Sequence, residues 1–143
     1  MRTIQTHNVN DTERAGSMLA RQLTPGSIVA FTGDLGAGKT AFCRGILRAL
    51  GYPGRVTSPT FAIVNEYDTE LCRVCHFDLY RILDADALYD IGWDDYLDGE
   101  SILLVEWSEN IADALPEGCI TVDIRHGSAA DDRIITIDGG PAL

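Results

Sequence analysis

Gly33-Asp34-Leu35-Gly36-Ala37-Gly38-Lys39-Thr40 matches the pattern G-x4-G-K-[ST], and no other feature limits the possible folds of this chain so sharply. Glycines at these spacings let the backbone turn its N–H groups inward, which makes a nest for anionic oxygens with no Cβ in the way. Such a loop works only where a strand delivers the chain and a helix receives it, because the helix N-terminus adds its positive end. Both flanks fit. Ser27 to Thr32 (SIVAFT) is a short apolar run rich in β-formers, and Cys43, Ile46, Leu47 and Leu50 recur at helical spacing before Gly51 and Pro53 stop the helix. The expected unit is therefore strand, phosphate loop, helix, with residues 33 to 40 binding a nucleotide. Lys39 would reach the outer phosphates and the Thr40 hydroxyl would meet Mg2+. Lys39 is also the only lysine beside ten arginines, at the one position where a compact, flexible point charge is wanted.

The remaining pattern extends that unit into a layered α/β domain. Residues 2 to 6 read as a strand, and Asn10 followed by Glu13 is a capping pattern for a helix over 11 to 23. Residues 61 to 67 and 72 to 77 read as a hairpin, and Asp84 can cap a helix to about Ile91. Ser101 to Val105 (SILLV) has the length and branching of a buried central strand. Residues 119 to 125 and 133 to 138 are two further strands. Helices alternating with strands early and hairpins later predict a three-layer, P-loop NTPase-like α/β fold with a mixed sheet that includes antiparallel strands. The 143 residues are expected to form a single domain, 1–143.

Charge and composition narrow the partners. Eleven basic residues against 22 acidic ones leave a net charge of −11, which opposes the phosphate-neutralising term that nucleic-acid binders depend on, so unaided RNA or DNA binding is not expected. No apolar run approaches the roughly 20 residues of a membrane-spanning helix, and MRTIQTHNVN has no apolar stretch of a signal peptide. A cytoplasmic protein without membrane contact is the expectation.

Nucleotide chemistry also needs acids near the metal. Val74-Cys75-His76-Phe77-Asp78 and Ile102-Leu103-Leu104-Val105-Glu106 are apolar runs that end in a carboxylate. An acid at the end of a strand beside a phosphate loop can hold Mg2+ or orient attacking water, and either Asp78 or Glu106 can fill either role. Cys72-Arg73-Val74-Cys75-His76 fits a haem-attachment pattern and half of a zinc ribbon. No export signal accompanies it, Cys43 and Cys119 are isolated, and thiols three apart on a strand point to opposite faces, so it reads as coincidence. Arg44 and Arg81 are candidates for phosphate contact, with an ion pair to one of the many acids favoured for Arg44. Trp107 is either a packed aromatic anchor or a reporter beside the nucleotide.

Taken together, Asp34 to Thr40, Ser58-Pro59-Thr60-Phe61, His76-Phe77-Asp78-Leu79-Tyr80-Arg81 and Glu106-Trp107-Ser108-Glu109 resemble the successive motifs of the TsaE (YjeE) family over roughly residues 8 to 138. The resemblance implies a Mg2+-dependent ATPase, slow by itself, that works with TsaB and TsaD proteins in making threonylcarbamoyladenosine beside the anticodon of tRNA. It implies Thr40 and Glu106 as Mg2+ ligands, Asp78 as a catalytic acid, Ser58 to Phe61 as a nucleotide-responsive loop, and Glu109 and Arg133 as nucleotide contacts. Lys39, Asp78 and Glu106 form the expected catalytic set, with ATP bound by Gly33, Asp34, Leu35, Gly36, Ala37, Gly38, Lys39 and Thr40. Ala41-Phe42 stands where many members carry Thr-Leu, past the metal hydroxyl. The competing reading is a P-loop kinase for a small metabolite. Such an enzyme closes an Arg-bearing lid over its acceptor, and the longest stretch without a clear element, 92 to 100, is acidic instead.

Overall fold

A computed structural model describes residues 1–34, 38–57, 59, 63–80, 82 and 85–139, the side chains of 85, 109, 110 and 112 excepted. The elements run β1 (Arg2–Thr6), α1 (Val9–Ala20), β2 (Ile28–Gly33), α2 (Lys39–Ala49), β3 (Val64–Asp68), β4 (Arg73–Asp78), α3 (Ala85–Asp90), α4 (Trp93–Tyr96), β5 (Ile102–Glu106), a 3-10 segment (Ser108–Ala114), β6 (Ile120–His126) and β7 (Arg133–Asp138). All seven strands join one sheet in the order β1-β7-β6-β2-β5-β4-β3. Its centre, β6-β2-β5-β4, is parallel, while β1, β7 and β6 pair antiparallel at one edge and β3 with β4 at the other.

The strands alternate their side chains between two apolar layers, as the twofold period of a strand requires. Val29, Phe31, Val74, Ile102, Leu104, Val122 and Ile124 pack under α1 and α2 with Leu19, Phe42, Cys43, Ile46 and Leu47. Cys75, Phe77, Leu103 and Val105 face the other way, toward Leu88, Trp93 and Ile111. Helix, sheet and helix thus make the three layers and the mixed sheet that the sequence predicts. Cys72 packs against the first layer and Cys75 lies in the second, so the two thiols do sit on opposite faces.

Two local expectations are corrected. α1 begins earlier than the Asn10–Glu13 pattern indicates: the N-cap is Asn8, in an extended conformation, and its side-chain oxygen accepts the Asp11 N–H at 2.7 Å. The Asp11 carboxylate reaches back to the His7 N–H at 3.1 Å, so a polar residue and an acid three apart still cap the helix, two positions upstream. The stretch 92 to 100 also contains an element. Trp93 is fully buried in α4, with its ring edge-on to Phe77 at 5.2 Å, and a large aromatic anchor holds that turn to the sheet against its polar surroundings. None of the described helices is long and apolar enough to cross a membrane.

Helices α1 and α2 cross closely because glycine stands at the contact on each. A Cβ on Gly16 would meet the Phe42 carbonyl and one on Gly45 the Glu13 carbonyl. This approach fixes the base of α2 and hence the direction in which its N-terminus points.

Candidate functional site

The carboxyl ends of parallel strands form the crevice where α/β proteins bind ligands. In this sheet that crevice is set by register. Phe31 of β2 and Asp78 of β4 are both paired with Glu106 of β5, so the two acids lie on adjacent strands at the level where β2 runs into the glycine loop. Val74, His76 and Asp78 share one face of β4, and Leu104 shares with Glu106 the corresponding face of β5, the face that α2 covers. The described part of the loop is held to β6. Gly33 has φ +117°, a conformation in which an added Cβ would also run into the Ile124 carbonyl. Asp34 donates its N–H to that carbonyl at 3.0 Å, and its carboxylate accepts the His126 N–H at 3.0 Å. Leu35, Gly36 and Ala37 lie outside the described residues. Gly38, at φ +99°, is the N-cap of α2, and its carbonyl accepts the Phe42 N–H at 3.0 Å.

Lys39 follows as the first residue of α2. It is only 6 % exposed, and its Nζ is buried with no hydrogen-bond partner among the described residues. Its one described attraction is the face of Trp107, 4.6 Å from Nζ to the ring centroid. Thr40, the next residue, is half-buried. The two acids are buried as well. Asp78 is 8 % exposed and accepts the Tyr80 N–H at 3.1 Å; Glu106 is 6 % exposed, and its Oε2 lies 2.5 Å from Nε2 of His76. Burial pushes the Cys43 thiol well up, and the Glu106 charge adds to that shift, which brings the carboxylate into the electrostatic reach of α2.

Chain geometry beyond β5 completes one wall. Trp107 has φ +61°, which turns the chain sharply after Glu106, and its ring meets Tyr80 edge-on at 5.1 Å. Ser108 donates its hydroxyl to the Phe31 carbonyl at 3.1 Å, tying that turn to the end of β2.

Lys39, Thr40, Asp78, Glu106, Gly33, Asp34 and Gly38 therefore lie at one end of the sheet. Arg133 lies opposite His126 in the sheet register, and the His126 N–H meets the Asp34 carboxylate. It begins β7, two strands from β2, and its guanidinium donates to the Ala130 and Asp132 carbonyls at 2.8 Å each. Arg44 pairs with Glu13 at 2.8 Å, which is the favoured alternative for that residue. Glu109 is the second residue of the 3-10 segment, its side chain outside the described set, as are Ser58, Thr60, Phe61 and Arg81. His76 and Ser108 were given no role by the sequence. A histidine inside an apolar strand two residues before an acid is the signal that could have pointed to His76; nothing in the sequence marks Ser108, whose bond is made to a strand 77 residues away.

Comparison with known proteins gives one family. A family model described as "Threonylcarbamoyl adenosine biosynthesis protein TsaE" matches residues 6–135. The "tRNA threonylcarbamoyladenosine biosynthesis protein TsaE" of Bacillus subtilis (strain 168) is 36 % identical over 132 residues, 92 % of this chain and 82 % of that one. The protein of the same description from Treponema pallidum (strain Nichols) is 36 % identical over 120 residues, 84 % of this chain and 88 % of that one. The crystal structure of Bacillus subtilis YdiB superposes with a TM-score of 0.82 at 31 % identity, covering 98 % of this chain and 86 % of that one.

Proposed function

This chain belongs to the TsaE family, and from that premise we propose that it is an ATP-binding and ATP-hydrolysing subunit that works with TsaB and TsaD partners in the threonylcarbamoyladenosine modification of tRNA next to the anticodon. Residues 1–143 act in it as one ATPase domain, in the cytoplasm, where tRNA is modified.

The observation that carries the reading is the buried Lys39 ammonium with no hydrogen-bond acceptor among the described residues. Taking an ammonium out of water costs several kcal/mol even after relaxation. A ring face returns only about 0.5–2 kcal/mol of that. An anion would supply the acceptor that the described residues do not, and the place of Lys39 at the head of α2, beside a glycine turn, is where a phosphate gains most from backbone N–H groups and the helix end.

The donor set suits Mg2+. The described residues contain no cluster of three or more His, Cys, Asp and Glu that could hold a metal by themselves. Mg2+ differs from zinc in this respect: it takes one or two protein oxygens and fills its octahedron with phosphate and water. The Thr40 hydroxyl and the Glu106 carboxylate are the oxygens proposed, and the bound ion would neutralise charge that builds on the transferred phosphoryl group. Lys39 holds the outer phosphates. Asp78, on the adjacent strand, accepts a hydrogen bond from attacking water and aligns it.

The net charge of −11 confines the role in tRNA modification to one mediated by partners, which supply the basic surface that tRNA needs. Free phosphate followed with and without TsaB and TsaD tests the reading. Release of phosphate from ATP that rises when the partners are added is expected; ATP consumption only with a small acceptor that becomes phosphorylated would replace it by the kinase reading.

A further inference from the structure

We propose that His76 is the positioning residue of Glu106: its Nε2–H holds one carboxylate oxygen, Oε2, and so fixes the rotamer that leaves Oε1 for the metal ion. The inference rests on the reading of Glu106 as a Mg2+ ligand and adds a residue to which that reading gives no part.

Three features of His76 separate it from a core residue that happens to be polar. It is fully buried in the middle of β4, paired with Leu104 on β5 and Asn65 on β3. Its partner is not the residue across from it but Glu106, one pleat further along β5, so the ring leans diagonally toward the carboxyl end of the sheet. Its other nitrogen, Nδ1, is buried without a hydrogen-bond partner among the described residues. An ionised carboxylate can only accept, so Nε2 donates in this bond, and Nδ1 is left without a partner among the described residues. An imidazole buried on those terms is a poor choice for filling space, since an apolar residue of similar volume would leave no unsatisfied group. What the histidine gives in return is the 2.5 Å bond to Glu106.

The consequence follows from the number of oxygens. A glutamate at the end of a strand can turn about three side-chain bonds, and each rotamer presents its carboxylate differently. Holding Oε2 from beneath removes that freedom before the metal arrives, and supporting groups of this kind commonly set metal affinity by about 10–100-fold. The described contact of Asp78 is of another kind: its Oδ1 accepts the Tyr80 N–H at its own strand's exit.

The test compares His76→Leu, His76→Gln and His76→Asn with Glu106→Ala. Gln places an amide N–H near the position of Nε2, whereas Asn is equally polar but too short to reach the carboxylate. Nucleotide binding is read from Trp107 fluorescence with EDTA present, and then as Mg2+ is titrated at fixed ATP. His76→Leu is expected to bind ATP in EDTA within about 2-fold of the wild type and to need about 10–100-fold more Mg2+ for half-saturation. His76→Gln should recover most of that loss and His76→Asn should not. If His76→Leu does not fold, the contrast between Gln and Asn decides alone. A normal Mg2+ midpoint in His76→Leu or His76→Asn, with the midpoint shifted in Glu106→Ala, would overturn the role of His76 and leave the metal role of Glu106 standing. A normal midpoint in Glu106→Ala would overturn the metal reading itself.

Discussion

Replacing Lys39 by methionine should make the nucleotide-free protein more stable and the nucleotide-bound protein less so. Methionine keeps the unbranched length of the side chain and removes an ammonium that is 6 % exposed and lacks a hydrogen-bond partner among the described residues. The gain is the relief of a burial cost of several kcal/mol, less the roughly 0.5–2 kcal/mol lost with the Trp107 ring contact, for a net of about 1–3 kcal/mol. For a domain of this size that raises Tm by about 2–10 °C. Ligand binding moves the other way. Truncating one member of a buried charge pair costs about 2–5 kcal/mol, or roughly 30- to 4,000-fold in affinity. At a nucleotide concentration of about 100 Kd the wild type gains about 2.7 kcal/mol of stability, while a variant bound about 300-fold more weakly gains about 0.2 kcal/mol. Thermal scans with and without Mg-ATP, backed by titration calorimetry, measure both effects. A Lys39→Met protein that melts several degrees below the wild type without ligand, or that keeps the wild-type shift with ligand, would refute the orphan-cation argument.

The two acids should divide binding from turnover: Glu106→Gln and Asp78→Asn are each expected to lower partner-stimulated phosphate release by about 100-fold or more while ATP binding falls far less, and unchanged rates in both would remove them from the mechanism. Gly45→Ala, whose Cβ would strike the Glu13 carbonyl of α1, should cost about 1–3 kcal/mol in urea unfolding; a variant as stable as the wild type would show that the helices can separate freely. His7 and Asp132 clip the start of α1 to the β6–β7 turn at 2.9 Å, and this hydrogen bond, followed by the carboxylate's charge, raises the His7 pKa above its ordinary value while His7 lowers that of Asp132. The His7 contribution to stability is therefore complete below the ordinary histidine range and lost as pH rises through the raised value; the Asp132 contribution is present above the ordinary carboxylate range and lost as pH falls through the lowered one. NMR titration should find His7 above 6.5 and Asp132→Asn should return it there; an unmoved titration in the variant would exclude the pair. Burial pushes the Cys75 thiol up to about 11, so alkylation of the native protein at pH 8 should spare Cys75 until the chain unfolds.

Much of this arrangement is legible in the chain because local rules and the fold agree. The strand, glycine loop and helix around Lys39 were each marked by composition, and β5 was marked by SILLV, since a strand buried on both faces has no polar alternation to blur it. What could not be read is what depends on distant partners. β1 lies at the sheet edge only because β7, the last strand, comes back to pair with it antiparallel, and five residues of alternating polarity carry no record of that choice. α4 and the 3-10 segment are too short to show a helical period; Trp93 and Ile111 hold them by burial, not by propensity. The same distinction runs through the site. Asp78 and Glu106 were visible as acids ending apolar runs, but that they are register partners is a property of β4 beside β5, and that His76 touches Glu106 is a property of the diagonal between them.

The two described non-glycine residues with positive φ fall at these same acids. Trp107, at φ +61°, immediately follows Glu106; Ile63, at φ +70°, accepts the Asp78 N–H on its carbonyl at 2.8 Å and donates its own N–H to the Pro59 carbonyl at 2.8 Å. Left-handed backbone is costly for an aromatic and more so for a β-branched side chain, of order 1–3 kcal/mol each. Glycine in either place would remove the strain but also a ring over Lys39 or an aliphatic group on the second core layer. Both strained residues thus tie an acid to a neighbouring group: Trp107 joins Glu106 to the Lys39 ammonium, and Ile63 joins Asp78 to Pro59. Strain placed there brings alternative backbone conformations closer in energy than they would be within a strand, so a ligand needs to supply only a small differential interaction to shift them. A phosphate that draws Lys39 toward itself competes with the Trp107 ring for the cation, and the backbone that carries the ring is the backbone that carries Glu106.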